Sequence, residues 1–389
     1  MIEQGILIAH QERERRRDIQ LLTPDFCGSR ASFAPRCRKP IHLSQSTLVP
    51  DQSLRSLPLV TLHLTDRCNS RCVSCDYWRH GRDDVTLAAV SKLLPDLRKL
   101  HTQTVLISGG EPLVHPQWAQ IAELLSEQGL TLWLVTSGLS LARHAIRAAG
   151  LFDSITVSVD GTTPEMYAAI RGLNAFDNVC NGIRRAVAAH AGVSIRVTVQ
   201  RANYHALPAF VDLARELGVH EISFLAADVS NAFAFGRAGD FSSDLALRPQ
   251  DLPALDAILD AMEHDHREAF QSGFIAESPQ KLRRLRHYFA AVCGLNAFPA
   301  THCNAPEFSA VIGATGHISP CFFIAGPPTT TTTTMHGLSH ALNTGDMTSL
   351  RREIRNGHRK ECSTCVCSLW RDPATGSPFR LEPRRHDTV

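Results

Sequence analysis

The densest chemistry in this chain lies in DRCNSRCVSCDYW, residues 66 to 78, where Cys68, Cys72 and Cys75 are spaced C-x3-C-x2-C. Three thiols so close together suit a disulfide staple, a metal site, or an iron–sulfur cluster. The nearest further donor, His80, does not complete a zinc-knuckle spacing. A cluster held by three thiolates would leave one iron open to a ligand from outside the protein. Sulfur concentrates a second time near the other end, at Cys303, Cys321, Cys362, Cys365 and Cys367, with CxxC at 362–365. Cys27, Cys37, Cys180 and Cys293 are scattered.

Composition narrows these choices. The chain has 389 residues, 43% hydrophobic and 20% charged, an ordinary globular profile with room for one large and one smaller domain. A net charge of +2 provides no field that would make nucleic acid or an anionic membrane the main partner. No apolar run reaches the roughly 18 residues of a helical membrane span. MIEQGILIAHQERERRRD places a short apolar stretch before its charges, the wrong order for a secretory signal, so a cytoplasmic protein is expected. In that reducing compartment twelve cysteines are expected to be thiols, and their clustering points to metal.

The elements that must position these thiols are legible as alternating patterns. Strand-like runs fall at 59–64, 104–107, 131–135, 154–159, 194–199 and 221–225. Helical periodicity separates them at 86–100, 117–128, 141–149, 179–190 and 206–217. About six β/α units imply parallel strands and right-handed crossovers, short of the eight of a closed barrel. The expected fold class is α/β, an open, partial (β/α)6 barrel. The expected division is an N-terminal arm (1–56, with a charged helix over 3–22), a core (57–240), a helical connector (241–300), a cysteine-bearing domain (301–372) and a tail (373–389). PPTTTTTT at 327–334 is expected to be a solvent-exposed loop.

On this frame the first cysteine group follows the first strand, at the edge where α/β sheets assemble sites. ISGGEPL follows the second, with Gly109, Gly110, Glu111 and Pro112: glycines permit close backbone approach, and a carboxylate accepts from an ammonium. LVTSGL ends the third with Thr136 and Ser137, and ITVSVDG ends the fourth with Ser158 and Asp160. Arg196 and Gln200 lie on the fifth.

These motifs, in this order over residues 55–230, resemble the radical SAM superfamily. The resemblance implies that Cys68, Cys72 and Cys75 hold a four-iron–four-sulfur cluster whose open iron chelates the amino and carboxylate groups of S-adenosylmethionine (SAM). It implies a GGE-type motif at Gly109, Gly110, Glu111 and Pro112 for the methionine amino group. Ser158 and Asp160 match ribose-binding positions, Asp160 being the expected polar contact. Thr136 and Ser137 replace the more usual Thr-Asn, and Arg196 or Gln200 would reach the SAM carboxylate or ribose unless Arg196 faces the surface. Ser74 stands where the family often places an aromatic ring against adenine, a role that Tyr77 or Trp78 would share.

The second group, with G-x4-C at Gly316–Cys321 followed by CxxC, resembles the auxiliary-cluster modules called SPASM or, shortened, twitch. One further four-iron–four-sulfur cluster is implied, on Cys303, Cys321, Cys362 and Cys365, with Cys367 spare or replacing Cys365. His317 would be its neighbour. The implied chemistry is reductive cleavage of SAM to a 5′-deoxyadenosyl radical that takes hydrogen from a small metabolite or natural-product intermediate, giving oxidation, epimerisation or another C–H functionalisation. The alternative is a peptide maturase forming thioether or carbon–carbon crosslinks in a ribosomal precursor. A non-catalytic iron–sulfur or zinc protein is a third reading. An electron donor of flavodoxin or ferredoxin type is implied as partner. Cys180 and Cys293 are expected to be packing residues, and Cys27 and Cys37 free thiols.

Overall fold

Val, Ile, Leu and Thr dominate six short runs, and such β-branched, continuously apolar segments suit strands buried on both faces. In the computed structural model, which describes residues 53–237, 243–328, 330–331, 337–367 and 369–371, each run is a strand. They are β1 (Leu59–Thr65), β2 (Thr104–Gly109), β3 (Thr131–Thr136), β4 (Ser154–Ser158), β5 (Val193–Val199) and β6 (Glu221–Ala226). All pair in parallel and in chain order, with Leu59 opposite Thr104 and Ser194 opposite Glu221 marking the register at the two ends. The sheet does not close: its order is β6-β5-β4-β3-β2-β1-β7-β8, with β7 (Ser309–Ile312) parallel to β1 and β8 (Ile318–Ser319) antiparallel to β7. This is the expected open, partial barrel, and the chain beyond residue 300 adds two strands to the same sheet.

Among the described residues, the helices of eight residues or more are α1 (Leu87–Lys99), α2 (Trp118–Ser126), α3 (Leu141–Leu151), α4 (Pro164–Arg171), α5 (Phe176–Ala188), α6 (Leu207–Glu216), α7 (Leu252–Asp265), α8 (Pro279–Val292) and α9 (Gly345–Arg355). The periodic positions of α1 become its buried stripe, Val90, Leu93, Leu94 and Leu97, and Thr86 caps it by accepting from Ala89 N at 3.1 Å. Helix α4 is too short for its periodicity to stand out. Thr163 caps it, Pro164 opens it, and Gly172 at φ 73° ends it.

One face of the sheet meets the helices through Leu62, Ile107, Leu134, Val157 and Val197. The inner face carries Leu59, Leu106, Trp133, Val135 and Leu225 against Phe308, Phe322, Phe323 and Cys367. Toward the strands' C-terminal ends the residues that line a cavity turn polar, with Ser108, Thr136, Ser158 and Thr198. The core is thus apolar where strands pack and polar where a site can form.

Several expectations change. Thr330, expected in an exposed loop, is fully buried, and its carbonyl accepts from Ile318 N at 2.9 Å, while Thr331 bridges His317. Thr330 and Thr331 thereby satisfy backbone groups at the sheet's last strand. Arg196 is not a surface residue; it lies on β5 at 1% exposure. Cys180 is buried in α5, and the Cys293 thiol donates to the Leu247 carbonyl at 3.2 Å, so both pack as expected. The helix over 3–22, nearly all of the arm, Cys27, Cys37 and the tail lie outside the described residues.

Candidate active site

The first cysteine loop is held from three sides, mostly by backbone. From β2, Gly110 N donates to Thr65 O (2.8 Å) and Glu111 N to Arg67 O (2.9 Å). From the end of α4, the carbonyls of Arg171 and Ile170 accept from Arg71 N (3.1 Å) and Val73 N (3.0 Å), and Ser70 Oγ donates to Arg171 O (3.3 Å). From the loop after β6, Phe235 O accepts from Asp76 N (2.9 Å) and from the Cys75 thiol (3.3 Å), while Arg237 donates to Ser74 O (3.2 Å).

Gly109 shows why the motif needs glycine. Its φ is +124°, and a Cβ there would lie 2.2 Å from Thr65 O. The glycines therefore let two loops of this chain meet, as well as baring backbone to the cavity.

Cys68, Cys72 and Cys75 border one cavity of about 790 Å³, counted to its open mouth, together with Tyr77, Gly109, Gly110, Thr136 and Ser158. The expected set is thus largely brought together from β1, β2, β3 and β4. Ser74 and Ser137 also line it, whereas Trp78, Arg196 and Gln200 do not.

Three expected residues stand behind the wall. Glu111 is fully buried: its Oε1 accepts from Leu113 N (3.0 Å) and Thr136 Oγ1 (2.8 Å), and its Oε2 from Ser137 N (2.6 Å). Those bonds tie the β2 loop to the end of β3, so the carboxylate positions other groups. Pro112 begins a buried 3-10 turn. Asp160 accepts from Arg171 Nη1 (3.0 Å) and Thr198 N (2.7 Å), so it holds Arg171 rather than facing the cavity.

Arg171, Phe235, Arg237 and Phe322 line the cavity and were not singled out in the sequence. The signal for Arg171 was an arginine inside an apolar helix closed by glycine. For Arg237 it was the polar set Asp228, Asn231 and Arg237 in an otherwise apolar segment; Arg237 Nη1 pairs with Asp228 at 3.3 Å, both side chains buried. An arginine buried within apolar sequence needs a structural partner or a ligand.

Burial pushes the Cys68 thiol well up, with the Glu111 charge adding to it, and pushes Cys75 up to about 12, where Arg171 and Arg237 work in the opposite direction. Burial works against the Arg171 charge, but Cys72 and Asp160 outweigh it. Thiols in such a setting become thiolates when cations compensate them.

The residues fit a three-thiolate cluster with one open position: three cysteines and no fourth line the cavity, and two guanidinium groups stand beside them. Among the described residues, no three or more His, Cys, Asp or Glu side chains are arranged to hold a single metal ion. Arg171 lines the cavity, with the Tyr167 hydroxyl and the Asp160 carboxylate beside its guanidinium, and a guanidinium there suits an anionic group from outside.

The second cysteine group also converges. Burial raises each of its thiols, and the charges of four of them raise others further: Cys303 and Cys362 act on Cys321, Cys303 acts on Cys362 and Cys367, and Cys367, Cys321 and Cys303 act on Cys365. Thr301 Oγ1 donates to Cys362 O (2.9 Å) and Asn304 N to Leu369 O (2.9 Å), clipping the two cysteine-bearing segments together. His317 is half-buried beside β8, with its pKa lowered by burial. Phe235, Phe322 and Phe323 pack together, with ring centroids 5.0 Å (Phe235–Phe322) and 5.3 Å (Phe322–Phe323) apart, in an apolar cluster against which Cys75, Cys303, Cys321 and Cys365 all pack.

Comparison with known proteins bears on the family and the fold. Residues 62–214 match the Radical SAM superfamily. GTP 3′,8-cyclase 1 of Mycobacterium tuberculosis (strain CDC 1551 / Oshkosh) is 32% identical over 192 residues, 46% of this chain and 53% of that protein. Mycofactocin maturase MftC of the same strain is 29% identical over 164 residues, 41% of this chain and 42% of that protein. The chain thus spans about half the length of the curated relatives it matches. Streptococcus suis SuiB bound to S-adenosylmethionine superposes with a TM-score of 0.58 at 12% identity, over 82% of this chain and 74% of that one. Native anSMEcpe with bound AdoMet gives 0.56 at 14% identity, over 83% and 93%. These structures share the open α/β sheet. With its motifs in strand order, its three thiols on one cavity and a shared open sheet, this chain carries a domain over residues 62–214 that matches the Radical SAM superfamily.

Proposed function

We propose that this chain cleaves SAM reductively and abstracts hydrogen from a small metabolite or natural-product intermediate. When bound, the cluster and SAM supply one-electron cleavage of a sulfonium C–S bond and, through it, attack on an unactivated C–H bond. The observation that carries the reading is the cavity itself: three thiols, bare glycine backbone, Ser158 and Arg171 line one space. In this reading Cys68, Cys72 and Cys75 hold the cluster. The backbone at Gly109 and Gly110 receives the amino group, and Arg171 with Ser158 receives the carboxylate. Glu111 and Asp160 act through the groups they hold. Tyr77, Phe235 and Phe322 give the cavity an apolar side that excludes water from the reacting carbon.

The same reading gives Cys303, Cys321, Cys362 and Cys365 a second four-iron–four-sulfur cluster with no open position, Cys367 being spare. The mutual approach of these thiols supports it. A cluster closed by four thiolates suits electron relay better than substrate ligation. A protein electron donor and a cytoplasmic setting belong to this proposal; no helix among the described residues is long and apolar enough to cross a membrane.

A peptide substrate is the second reading, supported by the likeness to mycofactocin maturase MftC. The test is anaerobic: the iron-loaded chain with SAM and dithionite should release 5′-deoxyadenosine, and Cys72→Ala should abolish that release. Undiminished release by Cys72→Ala would overturn the proposal. Deuterium transfer into 5′-deoxyadenosine from labelled candidate peptides or metabolites then separates the two substrate classes.

A further inference from the structure

A second cavity, about 570 Å³ to its open mouth, shares no lining residue with the first. It lies between the end of β6, one face of α8 and the segment 365–367. Its walls are mainly apolar, including Phe224, Leu285, Pro299 and Val366, with Cys365 and Cys367 of the second cysteine group on the same wall; Lys281 and Arg284 enter from α8, and their charges reach the Cys367 thiol. Three apart on one helix, these two cations share a face. Arg284 is anchored, its Nη2 donating to Ala300 O at 2.9 Å.

Lys281 is different. Its Nζ is buried and has no hydrogen-bond partner or ion pair among the described residues. Glu277, the carboxylate whose charge it influences, spends Oε2 on Phe224 N at 2.8 Å and leaves Oε1 buried and unpartnered. An ammonium taken out of water without an acceptor is costly, and an acceptor arriving from outside would relieve that cost.

We propose that this cavity binds a small molecule carrying one carboxylate on an apolar body, the carboxylate meeting Lys281 and the body lying along Phe224 and Leu285. Arg284 draws such anions to the mouth. The site is separate from the SAM cavity and does not depend on the SAM reading.

Octanoate is the probe and octanamide, of the same shape without the charge, its control, both titrated calorimetrically into the iron-loaded full chain. Octanoate should bind at least tenfold more tightly. Lys281→Met, which keeps the apolar stem, should erase that preference while iron content and 5′-deoxyadenosine release stay unchanged. Its thermal midpoint should hold or rise, because an unrelieved buried charge has been removed. Equal binding of the two probes, or a preference that survives Lys281→Met, would overturn the proposal. So would a lowered midpoint, which marks Lys281 as a structural counter-ion of Glu277. Saturating SAM should leave octanoate affinity unchanged; competition would assign the probe to the first cavity and sink the idea.

Discussion

Arg171 concentrates most of the site's electrostatics in one side chain. It is 6% exposed, pairs with Asp160 through Nη1, and lines the cavity beside the cysteines. Burial holds the folded Asp160 carboxyl above its ordinary range, and Arg171 opposes that rise. The folded state therefore takes up this proton at a higher pH than the unfolded chain does. The carboxylate then costs stability increasingly as pH climbs past its ordinary value of 3.8. Arg171→Met removes the opposing charge, so it should cost about 3–5 kcal/mol at neutral pH, the usual loss when a buried pair is broken. That loss should shrink as pH falls toward the protonation of Asp160. Anaerobic urea unfolding at pH 5.5 and pH 8 checks the sign: a penalty that grows on acidification would contradict it. The same variant should bind SAM more weakly, as measured by calorimetry.

The cysteine loop has no regular secondary structure until Tyr77, so neighbouring elements must supply its shape. Its backbone donors are met by carbonyls at the end of α4, where a helix leaves acceptors unused. Gly172 makes that meeting possible. With φ at +73°, and with the place a Cβ would take only 2.3 Å from Arg71 O, the residue has no room for a side chain. Gly172→Ala should push α4 away from the loop and loosen all three thiols at once, although no thiol is altered. Iron analysis after anaerobic reconstitution should show the first cluster's share lost, about four irons per chain. Retention of full iron would mean that the clamp is dispensable.

Across the whole molecule, the two cysteine groups belong to one framework. Strand β7 pairs directly with β1, whose end carries Cys68, and Phe322 follows Cys321 while lining the first cavity. Their ligand sets should nevertheless load independently. Reconstituted wild type should carry about eight irons, Cys321→Ala about four, and Cys367→Ala again about eight. Four irons in Cys367→Ala would exchange its role with that of Cys365. Iron content read beside 5′-deoxyadenosine release separates loss of a cluster from loss of chemistry.

Much of this was written locally and could be read locally. Strand order, the cysteine spacing, the glycines of ISGGEP and the buried stripe of α1 depend on neighbours within a few residues, where the periods of strand and helix leave a pattern. What escaped was long-range. Arg171 meets Asp160 and the cysteine loop, Phe235 meets Cys75 across 160 positions, and Thr330 fills a place beside β8. Glu111 and Asp160 carried the right signal but another task, since a motif shows that a carboxylate is needed without showing which way it points. The sequence by itself determined the open α/β frame and the three-thiol loop, because both follow from short-range spacing. Only the tertiary structure decided which polar groups face the cavity and which hold them there, because buried charges choose partners by proximity in space.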